Sequence, residues 1–406
     1  MKEYKIFFSL YLTFLLIFII FFLAAVHNSS VNNSMAEWVI NYQGGFTRRG
    51  FLGEIIFQIS QFFDLHLRKT FLMLQIFIYL FYFYFIYVFF KKINYNYFFA
   101  IAIFSPLFFI FSLAELEALG RKDILMFLVF VVNFLIFLEF RNINYNYIYF
   151  IITFPVVFLT HEIYIIYIVY FLAFFIMIEK NLNLIFFIKF FLILFIIFLF
   201  LNLVTTNEFS KENFDLLCKN LKEKSNETCG LAPYSMLNNI AAYQNEVGWK
   251  FPHVIRYILI FLFGFLGLII SIFFSKINKF ETNFIISKIN LKLIFIILAL
   301  PSVLPFLTAV DSGRYSSMAY TFPCIFYFGL LRSKLIIFDY EKANHFISNS
   351  FLKMKKYRVI LLIIICFTWT PKAVYHEDIS SFPLYRTIMK TPNFIGNFKN
   401  FNANQL

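Results

Sequence analysis

Charge is what this sequence has least of. Asp, Glu, Lys and Arg make up only 14% of its 406 residues, while hydrophobic residues make up 61%. That balance excludes the ordinary soluble globular class. The signatures of several catalytic classes are absent as well: the chain has no CxxC pair, no HExxH and no GxxxxGKS/T, which argues against a zinc protease or a P-loop ATPase. Cysteine is limited to four residues. Cys324 and Cys366 fall within hydrophobic runs and read as small apolar side chains, whereas Cys218 and Cys229 share a long polar segment.

What is present is a succession of hydrophobic runs, at about 7–26, 70–90, 98–114, 124–139, 147–160, 163–178, 184–204, 254–275, 290–309, 316–331 and 358–369. They predict an all-α, polytopic transmembrane bundle of about eleven helices in a single integral membrane domain, residues 1–406. The start "MKEYK" is positive, as in a signal peptide, but no small-x-small cleavage site follows and many more spans do, so the first run is expected to be a transmembrane helix. Phe, at 65 copies, belongs to the vocabulary of an AT-rich genome, and single Phe positions read as lipid-facing or packing side chains. The formal charge of +13 fits basic cytoplasmic flanks and gives no reason to invoke nucleic acid.

The fifth and sixth runs touch at Thr160-His161-Glu162, and reading them as one helix or two flips every later loop. As two helices, they place Lys276, Lys279, Lys288, Lys292, Arg332 and the stretch Lys353 to Arg358 on the side of Lys2, Lys5, Lys91, Lys92 and Arg141. The positive-inside tendency makes that side cytoplasmic. The segment 205–253 then becomes an extracytoplasmic, periplasmic loop, where Cys218 and Cys229 can form and keep a disulfide. One weak repeat, "KKINYNYFFAIAIF" at Lys91 and "RNINYNYIYFIITF" at Arg141, suggests duplicated helical hairpins or a shared codon bias.

In this topology the outer tips alone carry compact mixed charge: "QGGFTRRGFLGE" (43–54), "ELEALGRKD" (115–123), "THE" (160–162) and "AVDSGR" (309–314). Charges at helix ends in a membrane protein face one another or a wet cavity. Glycines give the first tip its conformational freedom, and Arg48 and Arg49 are planar cations suited to phosphate. The residues after Gly50 predict an amphipathic helix in the membrane interface. Arg121, Lys122 and Asp123 open a helix, where Asp123 also suits the helix dipole. His161 and Glu162 interrupt an apolar stretch and offer a base for a hydroxyl proton. Asp311 and Arg314 are spaced to pair across one turn.

With these landmarks the chain resembles bacterial polysaccharide-assembly membrane enzymes, in particular the O-antigen polymerases (Wzy). The resemblance covers the architecture of the whole chain, and "GGFTRRGFLGE", "GRKD", "THE" and "DSGR" look like recurring landmarks of such proteins. It implies a glycosyltransferase of lipopolysaccharide biosynthesis in the bacterial inner membrane, with the N-terminus cytoplasmic and the C-terminus periplasmic. The reaction would transfer a glycan from undecaprenyl diphosphate to a lipid-linked repeat unit at the periplasmic face. It also implies undecaprenyl-diphosphate-linked oligosaccharide, membrane lipids and a chain-length regulator as partners, with neither cofactor nor metal. Carried over by residue, Arg48, Arg49, Arg121 and Arg314 bind the diphosphate with Lys122 beside them. From the residues themselves, His161 or Glu162 is the expected base, and Glu54, Glu115, Asp123 and Asp311 are expected to orient groups or balance charge, with Asp311 close to the chemistry. The chain is also similar to C-type (GT-C) transferases using a polyprenyl-phosphate sugar, which place an acidic residue in the first outer loop; Glu37 and Glu54 are the candidates. A lipid-linked oligosaccharide flippase is the third reading, but it calls for polar residues in mid-helix, and here the charges sit at helix ends.

Overall fold

A computed structural model of the chain describes residues 2–27, 33–207, 209–227, 229, 233, 236–237, 251–308, 311–373 and 382–399. Residues 238–250 of the expected outer loop and the C-terminal residue lie outside the described residues. The chain runs through α1 (Lys2–His27), α2 (Asn33–Ala36), α3 (Phe51–Phe62), α4 (Leu67–Phe90), α5 (Tyr97–Ile103), α6 (Phe111–Ala114), α7 (Asp123–Phe140), α8 (Ile143–Thr160), α9 (Tyr164–Ile178), α10 (Leu184–Thr206) and α11 (Lys211–Ser225). It continues through α12 (Phe251–Gly264), α13 (Leu266–Phe273), β1 (Ser275–Ile277), α14 (Leu291–Ala299), α15 (Ser312–Arg332), β2 (Ile336–Phe338), α16 (Tyr340–Ser348), α17 (Lys355–Phe367) and α18 (Pro383–Lys399), with shorter turns between.

Among the described residues five helices are long and apolar enough to cross a membrane: α1, α4, α7, α8 and α10; α12 and α13, bent by 53°, make a sixth if they act as one broken span. The bundle is helical as expected, but several of the eleven expected runs form short or interrupted helices. Proline sits at two of the breaks, where its missing N–H removes a helical hydrogen bond. The run at 98–114 stops at Ser105-Pro106 and resumes only as α6, and the run at 290–309 passes from α14 into a 3-10 turn, Leu300–Val303, containing Pro301.

Interrupted backbone inside an apolar bundle survives only where other groups satisfy it. Here α15 supplies them: Tyr320 Oη donates to the Ala102 carbonyl at 2.6 Å and Ser317 Oγ to that of Leu107 at 2.8 Å. From the broken segment itself, Ser105 Oγ reaches the Gly264 carbonyl at 2.8 Å. Helix α15 is buried from Ser312 to Leu330; Ser316 Oγ bonds back to the Ser312 carbonyl at 2.9 Å, while Ser317 serves the neighbouring segment. At the opposite extreme, α10 exposes Leu184, Ile188, Phe191, Phe195 and Phe198, as a helix at the lipid-facing rim does.

The two ends of the bundle differ. At one, Arg332 donates to the Phe89 carbonyl at 2.7 Å, Lys180 pairs with Glu281 at 3.5 Å, and β1 pairs antiparallel with β2. At the other, Arg68 bridges Glu227 at 2.7 Å and the His27 carbonyl at 3.1 Å. There the Cys218–Cys229 disulfide is formed. It fastens α11, whose Ser210 cap accepts from the Asn213 N–H and whose Asn220 donates to the Gln43 carbonyl at 2.9 Å. The sequence repeat does not yield matching hairpins. Asn96 caps α5, whereas its counterpart Asn146 is buried within α8 and donates to the Asn133 carbonyl at 2.6 Å.

Candidate functional site

The four charged tips lie at the disulfide end, and most of their side chains meet. In the first tip close approach, more than freedom, explains the glycines. A Cβ on Gly44 would stand 2.0 Å from the Asn213 carbonyl oxygen of α11, and Gly45 has a φ of +114°. The amphipathic helix is present as α3, burying Gly53, Ile56, Phe57 and Ser60 and exposing Phe62 and its neighbour Phe63. The loop so compressed turns both arginines inward: Arg49 forks Glu162 with contacts of 2.7 to 3.0 Å, and Arg48 lies 3.5 Å from the same carboxylate.

The second tip is set by Gly120, at a φ of +73°. Its carbonyl accepts from Trp38 Nε1 at 2.7 Å and Gln75 Nε2 at 3.0 Å, and its N–H donates to Tyr79 Oη at 3.2 Å. This pinned turn presents three charges in three directions. Arg121 pairs with Glu37. Lys122 Nζ donates to the Arg49 carbonyl at 2.8 Å, over the Trp38 ring. Asp123 takes a two-pronged grip from Arg314, at 2.5 and 2.7 Å.

Arg314 is the hub of the network. Beyond Asp123, its Nη1 reaches Glu37 and Asp311, each at 3.3 Å, and its Nη2 lies 3.1 Å from His161 Nε2. A guanidinium can only donate, so that ring nitrogen is unprotonated. The other ring nitrogen, Nδ1, accepts from the Ile163 N–H at 3.4 Å and lies 3.6 Å from Glu162. Burial holds His161 well below the usual histidine range, helped by the charges of Arg49 and Arg314 against Glu162. Burial would raise the carboxyls of Glu37 and Glu162, but Arg121 and Arg314 around the first, and Arg49 on the second, hold both below the ordinary range. Lys122 is pushed down to about 7, chiefly by burial, with Glu37 and Glu162 opposing and Arg49 assisting. The site thus holds ionised carboxylates, fixed guanidinium charges, a neutral imidazole and an amine that titrates near neutrality.

Three expected residues fall outside this contact set or at its edge. Glu54 accepts from the Tyr42 N–H and from Gln43 and Gln58, organising its own loop. Glu115 is buried and accepts from the Ala373 N–H at 3.3 Å, holding the segment after α17. Arg48 remains partly exposed at the rim. Conversely, Glu37 enters the sequence analysis only as an acid of the C-type alternative, yet it lies at the centre, 2% exposed, with Oε2 lacking a hydrogen-bond partner among the described residues. A carboxylate inside the apolar stretch "MAEWVI" is the signal that marks it.

Beneath the network a crevice of about 40 Å³ runs from Arg121, Asp123 and Arg314 to Tyr82, Phe83, Phe109 and Phe127. Its volume admits a few waters. Among the described residues no three His, Cys, Asp or Glu side chains gather as metal ligands. Compared with protein-family models, curated proteins and solved structures, the chain matches none significantly.

Proposed function

We propose that the chain is a glycosyltransferase acting on a lipid-linked glycan at the outer face of a bacterial inner membrane, in the manner of an O-antigen polymerase. The observation that carries the reading is the meeting of Arg49, Arg121, Lys122 and Arg314 with a neutral His161 in one buried network drawn from distant parts of the chain. A leaving diphosphate needs fixed cations, and an acceptor hydroxyl needs a base. Counting Arg48 and a charged Lys122, the cations exceed the carboxylates Glu37, Asp123, Glu162 and Asp311 by one, so an entering diphosphate finds net positive charge. Its oxygens compete for Arg314, which frees His161 Nε2 to take a proton, and the Glu162 carboxylate 3.6 Å from Nδ1 offsets the positive charge the ring then gains. The basic end of the bundle is then cytoplasmic, with all eleven runs, several of them interrupted, crossing the membrane.

A C-type transferase using a polyprenyl-phosphate sugar is the second reading. Glu37 favours it, since this first-loop carboxylate is ionised and central, and its Oε2 has no hydrogen-bond partner among the described residues.

Cells decide between them. Under the polymerase reading, Arg49→Ala or His161→Ala leaves lipopolysaccharide with a single repeat unit in place of a ladder. A normal ladder in both variants removes that reading, and a missing single sugar on an otherwise normal chain favours the C-type enzyme.

Lys122 gives a separate pH prediction. Its folded value lies below that of a free lysine, so the folded state binds fewer protons and stability rises as pH climbs from about 7 toward lysine's usual value of about 10.4. Transfer should show an inflection near pH 7, where Lys122 gains or loses its charge. Lys122→Met should remove the inflection and flatten the stability slope. An unchanged profile in the variant contradicts a titrating Lys122.

A further inference from the structure

The crevice under the charged network ends on Phe83, eight residues along α4 from the Gln75 that holds Gly120, or about 12 Å of helix. The same ring borders a second space. On the outer surface of the bundle, α1 and α4 flank a groove of about 310 Å³ lined by Leu12, Thr13, Leu16, Leu80, Tyr84 and Tyr87 together with Phe83. Leu80 and Tyr84 are 39% and 60% exposed, whereas Phe83 is 4% exposed. Phe83 is therefore the side chain that borders both the arginine-headed crevice and the lipid-facing groove. A change of its χ1 rotamer, made against the packed rings of Tyr79, Tyr82 and Phe109, is the single side-chain rearrangement that would join them.

We infer that the groove holds the polyprenyl tail of a lipid diphosphate whose head lies at the charged network, with Phe83 as the partition between groove and crevice. The inference rests on the lipid-linked donor of the proposed function. Charge at the upper end suits a phosphate or diphosphate head, and the aromatic walls below suit hydrocarbon. A tail held this way leaves the head at the network without drawing the lipid out of the membrane.

The test uses the full chain in detergent and in phosphatidylglycerol nanodiscs, with undecaprenyl diphosphate carrying a diazirine in its tail. After irradiation, label is expected on α1 and α4 around Thr13 and Phe83, displaced by unlabelled undecaprenyl diphosphate. Thr13 is exposed on the groove wall, so Thr13→Trp fills the groove without disturbing the core. It should cut the labelling and raise KM for the long-chain donor about tenfold, the equivalent of 1.4 kcal/mol of binding. A donor with a short, three-isoprene tail should change less than about twofold, and Phe83→Trp should follow the same pattern. Label that phosphatidylglycerol displaces equally marks an ordinary lipid-facing groove and overturns the tail site. Label elsewhere, or equal loss with both donors, does the same. Labelling needs no turnover: intact label without transfer contradicts the transferase reading alone, and transfer without label on these helices contradicts the tail site alone.

Discussion

Arg314→Lys is expected to lower transfer at least about 100-fold, the scale seen when one preorganised donor is removed from a reacting centre. The reason is geometric. Arg314 contacts Asp123 through two nitrogens and reaches Glu37, Asp311 and His161 with the remaining edges of the same plane. An ammonium supplies the charge but not the fork. Arg314→Ala goes further, because it leaves Asp123 buried without its partner; breaking such a pair costs about 3–5 kcal/mol. The contrasting control is Lys180→Ala at the basic end, where an exposed pair with Glu281 contributes about 0–1 kcal/mol. Thermal unfolding in detergent and transfer of a lipid-linked donor measure the two effects separately. Full activity in Arg314→Lys would mean that the hub holds the fold and takes no part in the reaction.

The second large effect is expected of a single methyl group. Gly313 sits against the segment after α17, so closely that a Cβ would stand 1.7 Å from the Lys372 carbonyl oxygen and 3.2 Å from Ala373 Cα. Both neighbours are backbone, and neither can step aside as a flexible side chain can. Gly313 also donates its N–H to the Ala373 carbonyl at 3.1 Å, and Ala373 in turn donates to Glu115. Gly313→Ala must therefore move either this segment or the start of α15, which carries Arg314. We expect a loss of stability beyond the 1–3 kcal/mol typical of overpacked cores, with poor accumulation in the membrane. Ser312→Ala, one residue earlier, deletes a small hydroxyl and should accumulate normally. Equal yields of both variants would show that the contact yields easily. This is also the role found for Glu115: it holds the backbone that presses on Gly313, one step removed from the charged network.

Much of the architecture was legible because the burial signal in a membrane protein is long and repetitive. The runs that became α1, α4, α7, α8 and α10 contain enough consecutive apolar residues to be read one at a time. The broken runs were legible only in outline. Pro106 and Pro301 announce their interruptions, but whether a hydrophobic run is continuous or broken depends on partners such as Tyr320 and Ser317, which are more than two hundred residues away from the backbone they satisfy. The repeat at Lys91 and Arg141 left two readings open for a related reason. Asn is equally able to cap a helix or to bond within one, and neighbouring helices chose differently for Asn96 and Asn146.

At the site, the residue types and the end of the bundle could be read from the chain; the pairings could not. The sequence by itself determined that scarce charges gather at particular tips, since hydrocarbon rejects them elsewhere. Only the tertiary structure decided that Arg314 grips Asp123 and not merely its near neighbour Asp311, that Glu37 lies at the centre, and that Glu54 and Glu115 turn to backbone tasks. Apolar patterning is a property of each segment alone, whereas an ion pair between residues 191 positions apart exists only after the helices carrying them have been packed.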